Sequence, residues 1–226
     1  MKINKYKYRI NNSDLFFFAP EEDSCFRGTI VALSTNEWLF DKVSFKDNDI
    51  FIDIGCNIGL VSMTLARLYP KIKIYSFDPN PVAMECFNKS LIENGIINIQ
   101  TFQSAIGSEY KDNVKFVTYS ENETCLVQDG LSDKRNVEYL SNMLCISDLF
   151  DKKTFNIDKV KYLKIDIEGG EFSLFDFLFN KRPDILDRIE YLHCEIHPFE
   201  GKKESYELRE KLNNKFGKKN LVEHNE

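Results

Sequence analysis

The sequence is short of the features that mark several common protein classes. Its six cysteines are scattered, and no two of them stand at the C-x-x-C spacing of a zinc ribbon or a thioredoxin-like pair. The N-terminus has no apolar stretch that resembles a secretory signal, and the longest apolar runs are far too short to span a membrane. We therefore expect a reduced, cytoplasmic protein with no membrane span, whose cysteines serve as small core residues.

Positive charge is not in excess either. The 226 residues include 30 lysines and arginines against 36 aspartates and glutamates, which gives a formal net charge of −6. Because nucleic-acid affinity depends largely on clustered Lys and Arg, this balance disfavours a nucleic-acid partner. The sequence shows no internal repeat and no low-complexity tract, which excludes solenoids and propellers. A single globular domain is the natural interpretation of this length.

Alternating strand and helix patterns organise most of the chain. Residues 1–48 predict an N-terminal hairpin and a helical cover, with the helix over Ser24–Asp41. From residue 49 to residue 226, short apolar strands alternate with helices, which indicates parallel pairing through right-handed crossovers. Residues 107–159 interrupt this order as a polar insertion that we expect to form a hairpin. The sequence thus predicts an α/β fold, a Rossmann-like, doubly wound and mostly parallel sheet.

A tight glycine turn follows the first strand of this region. Residues 51–59 read FIDIGCNIG, a buried strand that leads into a turn with two glycines and then directly into a helix. Gly55 suits backbone angles that other residues resist, and Gly59 allows close packing of the helix. We expect the turn to offer N–H groups to a carboxylate or phosphate, and Asp53 to suit a cation such as an amino group. The dinucleotide pattern GxGxxG is absent, because the middle glycine is missing.

An acidic residue stands at the end of the next predicted strand. Asp78 lies in the run SFDPNP, and Asn80 followed by Pro81 is typical of a helix start. A carboxylate at the end of that strand can accept hydrogen bonds from both ribose hydroxyls of a nucleoside. The simpler alternative is a turn aspartate next to a capping asparagine.

Two later strands carry polar side chains toward their ends. Alternation with period two puts Asp166 and Glu168 on one strand face in KIDIEGGE. The same alternation puts His193, Glu195 and His197 on one face in HCEIHP. Both strands are expected to reach the carboxyl edge, where open α/β sheets bind ligands. The alternative is that these are ordinary polar groups at strand ends.

Taken in order, five runs resemble the FkbM family of class I S-adenosylmethionine-dependent methyltransferases: DIGCNIGLVSMTLA, SFDPNP, QSAIGSE, KIDIEGGE and CEIHP. The likeness spans Trp38 to Pro198, although the family usually has Ala in place of Cys56 and Glu in place of Asp78. Class I methyltransferases usually end in an antiparallel hairpin, and Lys219–Glu226 is enough for one strand at most. Two alternatives stay open: the sequence is a truncated piece of a longer chain, or the sheet ends early and lacks part of this hairpin. In the second case we expect an exposed edge that favours a homodimer.

The resemblance also implies a role for each matched residue. Those implied to contact S-adenosylmethionine are Asp53, Gly55, Cys56, Asn57, Gly59, Asp78, Pro79, Asn80, Ser104, Ala105 and Asp166. Three residues are implied to face the acceptor as catalytic residues: Glu168, Glu195 and His197. His197 or a nearby carboxylate is the expected base for a hydroxyl acceptor.

The implied reaction is O-methylation of a sugar, a glycan or a small metabolite, with the insertion over residues 107–159 as a lid. Several alternatives stay open. In one alternative, Asp166, Glu195 and His197 ligate a divalent metal that lowers the pKa of the acceptor hydroxyl. In others, the chain is a non-catalytic binding module or a nicotinamide-dependent oxidoreductase, and the sequence does not separate O-methylation from N- or C-methylation.

Overall fold

The N-terminal part of the chain is a hairpin followed by a short helix. The computed structural model describes residues 2–10, 12–21, 25–118, 124–126, 137–197, 202–217 and 220–223. Strands β1 (Ile3–Ile10) and β2 (Ser13–Pro20) pair antiparallel, as the sequence predicts. Helix α1 (Cys25–Ser34) is shorter than the expected Ser24–Asp41, and a 3-10 turn over Phe40–Lys42 follows it. Asn36, in the segment between α1 and this 3-10 turn, has a left-handed backbone conformation with φ of 56°.

The first half of the parallel region follows in regular alternation. It comprises β3 (Ile50–Ile54), α2 (Leu60–Leu68), β4 (Lys73–Asp78), α3 (Pro81–Asn94) and β5 (Ile99–Gln103). Local chemistry fixes both ends of α3. The side chain of Asn80 accepts hydrogen bonds from the N–H groups of Val82 and Ala83. Gly95 ends the helix in the left-handed conformation, with φ of 60°.

The polar insertion builds a small second sheet. It contains β6 (Ala105–Gly107), β7 (Lys111–Thr118), β8 (Thr124–Leu126) and β9 (Val137–Cys145), in the spatial order β6-β9-β7-β8. The short helix α4 (Ile146–Phe150) then leads back to the main sheet. The expected hairpin is present as β7 and β8, but the sequence analysis missed β9. Residues 119–123 and 127–136 of the predicted insertion lie outside the described residues.

The second half of the parallel region completes the main sheet. Its elements are β10 (Val160–Ile165), α5 (Glu171–Asn180), α6 (Pro183–Leu186), β11 (Ile189–Cys194), α7 (Lys202–Phe216) and β12 (Leu221–Glu223). Strand β12 lies within Lys219–Glu226, the stretch that the sequence analysis considered long enough for one strand at most, of which the structure describes residues 220–223. It pairs parallel to β11, as the remaining strands of the sheet pair with one another.

The main sheet has six parallel strands in the order β12-β11-β10-β3-β4-β5. One face packs against the hairpin, α2 and α3, through residues that include Phe17, Leu60 and Phe87. The other face packs against α5, α6 and α7, through residues that include Leu174 and Leu212. Helices on both faces of a parallel sheet confirm the predicted Rossmann-like, doubly wound fold.

The chain reverses its direction of travel across the sheet between β3 and β10. It first proceeds outward from β3 to β5, and after the insertion it returns to place β10 beside β3. Open α/β sheets bind ligands at such a switch point, outside the carboxyl ends of the strands. The candidate residues from β3, β4, β10 and β11 all belong to this edge.

Gly59 allows α2 and α3 to pack closely at the start of α2. Its backbone is left-handed, with φ of 78°, and a Cβ there would lie 2.2 Å from the ring of Phe87 on α3. A side chain at this position would therefore meet both backbone strain and a steric clash.

We expect Gly59→Ala to lower the free energy of unfolding by about 2–4 kcal/mol, because it adds strain and overpacking together. Gly28→Ala is the matched control, since Gly28 is inside α1 and a Cβ there has no atom within 4 Å. The control should stabilise the protein by about 0.5–1 kcal/mol through helix propensity. Equilibrium denaturation measures both values, and a Gly59→Ala protein as stable as the wild type would contradict the packing argument.

Candidate active site at the carboxyl edge of the sheet

The turn after β3 touches the segment after β10. The N–H of Asp166 donates to the carbonyl of Ile54 at 3.0 Å. A Cβ on Gly55 would lie 1.7 Å from the carbonyl oxygen of Asp166, and the φ of Gly55 is 78°. Only glycine fits this position, because both the space and the backbone angle exclude a side chain.

Three N–H groups of the glycine turn are used inside the protein. Those of Gly55 and Cys56 both donate to the carbonyl of Phe77, at 2.9 and 3.1 Å. The N–H of Asn57 donates to Oδ2 of Asp78 at 2.8 Å. The end of β4 therefore satisfies these three groups. Binding of a carboxylate or phosphate at the start of α2, which follows the turn, stays a prediction.

Asp78 joins the glycine turn to the start of α3. While Oδ2 accepts from Asn57, Oδ1 accepts from the N–H of Asn80 at 2.8 Å. Burial raises the pKa of Asp78 to about 6. The two backbone hydrogen bonds lower this pKa, but burial has the larger effect. Pro79, between Asp78 and Asn80, is half-buried. Contact of these residues with a ribose stays a prediction.

A buried lysine, which the sequence analysis did not single out, lies beneath the turn. Lys164 on β10 is 3% exposed, and its Nζ lies 3.3 Å from Oδ1 of Asp53, 3.3 Å from Oδ2 of Asp166 and 3.0 Å from the carbonyl of Gly55. Burial alone would lower the pKa of Lys164, but the two carboxylates outweigh it and raise that pKa. Ser62 donates to the other oxygen of Asp53 at 2.7 Å. Asp53 is thus fully buried and engaged by protein groups, and its predicted contact with the methionine moiety stays a prediction.

The acceptor-side residues come together, but for a different reason from the one predicted. Strand β10 ends at Ile165, and Glu168 lies in a turn with left-handed backbone at φ of 51°. Strand β11 ends at Cys194, before Glu195 and His197. Asp166 and Glu168 therefore do not share a strand face, and neither do Glu195 and His197, so both predictions of a shared face are wrong. The loops after the strands nevertheless bring Oε2 of Glu168 to 3.4 Å, and Oε1 of Glu195 to 3.9 Å, from Nε2 of His197.

His193 does not belong to this cluster. It is a buried residue of β11, and its ring lies 6.1 Å from the ring of Trp38, measured between centroids. The predicted common face of His193 and His197 is wrong, because the regular alternation ends with the strand at Cys194.

Glu171 is the second residue that the sequence analysis left without a role. It is the first residue of α5 and is fully buried, and its Oε1 lies 2.8 Å from Nδ1 of His197. Burial would lower the pKa of His197, but the hydrogen bond and charge of Glu171 raise it to about 9, with Glu168 and Asp166 adding to the effect. His197 is therefore an imidazolium at neutral pH.

The predicted metal ligands are close together but engaged elsewhere. One potential ligand atom from each of Asp166, Glu195 and His197 lies within 4.8 Å of the other two. However, Asp166 pairs with Lys164, and His197 is protonated against Glu171. An imidazole must lose its proton before it can ligate a metal. These contacts suit charge pairing within the protein better than a metal centre.

The remaining predicted cofactor residues line the same region. Ser104 is buried between β5 and β6, and its Oγ donates to the carbonyl of Asn142 at 2.9 Å; Ala105, the first residue of β6, is half-buried. Cys56 is buried with its Sγ 3.9 Å from Sδ of Met84. Burial raises the pKa of the Cys56 thiol, so it is a neutral packing group rather than a nucleophile.

Comparison with known proteins shows to which family a chain with these features belongs. The family model described as "Methyltransferase FkbM domain" matches residues 53–219. This chain belongs to the FkbM methyltransferase family. The resemblance to this family that the sequence motifs predict is thereby confirmed.

Individual relatives of this methyltransferase are distant. Methyltransferase 1 from Beauveria bassiana (strain ARSEF 2860) is 23% identical over 173 residues, 69% of each protein. Methyltransferase sdnD from Sordaria araneosa is 27% identical over 161 residues, 60% of this chain and 62% of that protein. The crystal structure of the FkbM methyltransferase from Methylobacillus flagellatus KT is 16% identical with a TM-score of 0.48, and the match covers 76% of this chain and 38% of that chain. Within the described segments of the methyltransferase, no helix has the length and apolar character needed to cross a membrane.

The Glu171–His197 pair makes the stability of this methyltransferase depend on pH. Because the folded state raises the pKa of His197 from 6.5 to about 9, the stabilisation is complete below pH 6.5 and is lost as the pH rises through 9. It amounts to at most about 3 kcal/mol. In Glu171→Gln, which removes the charge but keeps the shape, we expect the loss of unfolding free energy between pH 6.5 and 9 to be smaller. Denaturant titrations across this range measure it.

The control for this prediction is Glu204→Gln, which neutralises an exposed glutamate in the first turn of α7. This variant should keep the pH dependence of the wild type. If Glu171→Gln also kept it, Glu171 would not be the group that holds the proton on His197.

Proposed function

We propose that this methyltransferase uses S-adenosylmethionine to methylate a hydroxyl oxygen of a sugar, a glycan or a small metabolite. The observation that carries the proposal is the meeting of two groups at the switch point of the sheet. The glycine turn with Asp78 lies on the side of β3 and β4, and the cluster around His197 lies on the side of β10 and β11. Methyl transfer requires a donor and an acceptor held in line at one place, and adjacent strand ends supply such a place.

Charge supports S-adenosylmethionine as the donor. It supplies a methyl group on a positively charged sulfur, a good leaving group, and it also carries an amino group. The edge offers carboxylates at Asp78 and Asp166. An acidic, partly buried edge favours a cationic donor over an anionic one. The residues that we propose for the donor side are Gly55, Cys56, Asn57, Gly59, Asp78, Pro79, Asn80, Ser104 and Ala105.

The acceptor side handles the proton that a hydroxyl must lose. As the new carbon–oxygen bond forms and the carbon–sulfur bond breaks, that proton passes to a base. His197 is protonated at neutral pH and is a poor proton acceptor, so we assign this role to the carboxylate of Glu168 or Glu195. The imidazolium of His197 then stabilises the ionised carboxylates beside it.

The same charges bear on which acceptors fit. Asp166, Glu168 and Glu195 each expose between 27% and 30% of their side chains at this edge. Carboxylates in this position repel an anionic acceptor, such as a sugar phosphate, more strongly than a neutral polyol. We therefore propose a neutral acceptor.

We also propose a cytoplasmic location. The support comes from Cys56, Cys86, Cys145 and Cys194, which are buried free thiols. Such thiols suit a reducing compartment. A homodimer through an exposed sheet edge stays a prediction from the sequence.

Isothermal titration calorimetry tests the donor. S-adenosylhomocysteine, the stable product of the donor, should bind the wild type, and NADH should not. Asp78→Asn should weaken this binding by about tenfold, because it removes a charged hydrogen-bond acceptor at the turn. The control is Asp47→Asn, which changes an exposed aspartate paired with Lys71. Binding of NADH in place of S-adenosylhomocysteine would contradict the proposal in favour of an oxidoreductase.

Transfer of a radiolabelled methyl group to defined acceptors tests the reaction. We expect neutral methyl glycosides and polyols to be methylated in preference to the corresponding phosphates. We test Glu168→Gln and Glu195→Gln separately. The substitution that removes the base should lower turnover by about 100-fold or more, since general bases typically contribute that much. Full turnover in both variants would remove the carboxylates as bases. Preferred transfer to the phosphates would refute the argument from charge.

A further inference from the structure

Lys164 joins three parts of the site through one buried ammonium group. Its three oxygen partners are the carboxylate of Asp53 at the end of β3, the carbonyl of Gly55 in the glycine turn and the carboxylate of Asp166 after β10. The contacts with Gly55 and Asp166 are hydrogen bonds, and the contact with Asp53 is a buried ion pair.

A lysine at this position is costly if packing is its only purpose. Its neighbours in β10, Leu163 and Ile165, are buried apolar residues, and Lys164 is itself 3% exposed. Removing an ammonium and a carboxylate from water carries a desolvation penalty, and apolar side chains of similar size often stabilise a core as well or better. The lysine therefore calls for an explanation beyond the stability of the sheet.

The three partners of Lys164 differ in what they face. Asp53 is completely buried, whereas the side chain of Asp166 is 29% exposed at the acceptor edge. The carbonyl of Gly55 belongs to the peptide whose N–H, on Cys56, donates to the carbonyl of Phe77. Lys164 therefore fixes the orientation of a peptide on the donor side and of a carboxylate on the acceptor side at the same time.

We propose that Lys164 is a positioning residue for the methyl-transfer site. Its ammonium holds the Gly55 peptide and the Asp166 carboxylate in one relative arrangement, so that the two halves of the site have a common geometry. This inference depends on the proposed function, because it takes S-adenosylmethionine as the molecule that binds across the two halves.

The main competing explanation is that Lys164 only neutralises Asp53. Lys164→Met alone does not separate the two, because it leaves the buried Asp53 without its cation and is expected to destabilise the fold strongly. The double variant Asp53→Asn/Lys164→Met removes both charges together and should recover much of the thermal stability. Lys161→Met is the matched control, since Lys161 is on the same strand and pairs with Glu190 near the surface.

The test measures the affinity for S-adenosylhomocysteine by calorimetry, together with the melting temperature. In the folded double variant, we expect the affinity to fall by at least about tenfold, the effect of losing a buried charged hydrogen bond. The Lys161→Met protein should bind like the wild type. Binding by the double variant within about twofold of the wild type would overturn the inference.

A second measurement follows Lys164 itself in the wild-type protein. The ammonium of Lys164 is shielded from water, so its Nζ resonance should be visible in a nitrogen-detected lysine NMR spectrum and can be assigned by its absence in the double variant or in Lys164→Met. We expect this resonance to shift when S-adenosylhomocysteine saturates the wild type, and an unmoved resonance would overturn the inference. Failure of the proposed function is distinguishable, because the wild type itself would then not bind S-adenosylhomocysteine.

Discussion

The close approach of Gly55 and Asp166 is the constraint on which the rest of the site depends. The carbonyl oxygen of Asp166 occupies the place where a Cβ on Gly55 would lie, 1.7 Å away. Strand β10 can return beside β3 only because this position carries no side chain. That return creates the switch point, and the switch point sets the carboxyl ends of β3, β4, β10 and β11 around one edge. A backbone contact thus decides where the candidate site forms.

Charge balance then determines what this edge can recognise. Each buried cation is paired with a buried acid: Lys164 with Asp53, and His197 with Glu171. These pairs are internally neutral, so the groups that face outward set the net character of the edge. Those groups are mainly carboxylates, among them Asp166. The acidic edge agrees with a positively charged methyl donor.

The sequence predicts those parts of the fold that local chemistry decides. The order of strands and helices, the glycine turn and the cap formed by Asn80 all follow from short stretches of residues. The exact ends of β10 and β11 do not follow from short stretches of residues, because they depend on how the following loops pack. The two shared-face predictions, one for Asp166 and Glu168 and the other for His193, Glu195 and His197, were therefore wrong. Glu168 and His197 nevertheless meet at the edge. Strand β9 was missed for a similar reason, since its partners β6 and β7 are distant in sequence.

The two residues that sequence reasoning overlooked share one property: each is buried and paired with a partner of opposite charge that is distant in sequence. Lys164 faces Asp53 across the register of β10 and β3, and Glu171 faces His197 across 26 positions of sequence. A weak signal was present in each case, a lysine inside an otherwise apolar strand and an acid directly before a helix of Phe and Leu. Such residues are normally excluded from a core unless a counter-charge accompanies them. An unexplained charge in a core strand or at a buried helix start is therefore itself evidence of a partner, and in this methyltransferase both partners lie at the active edge.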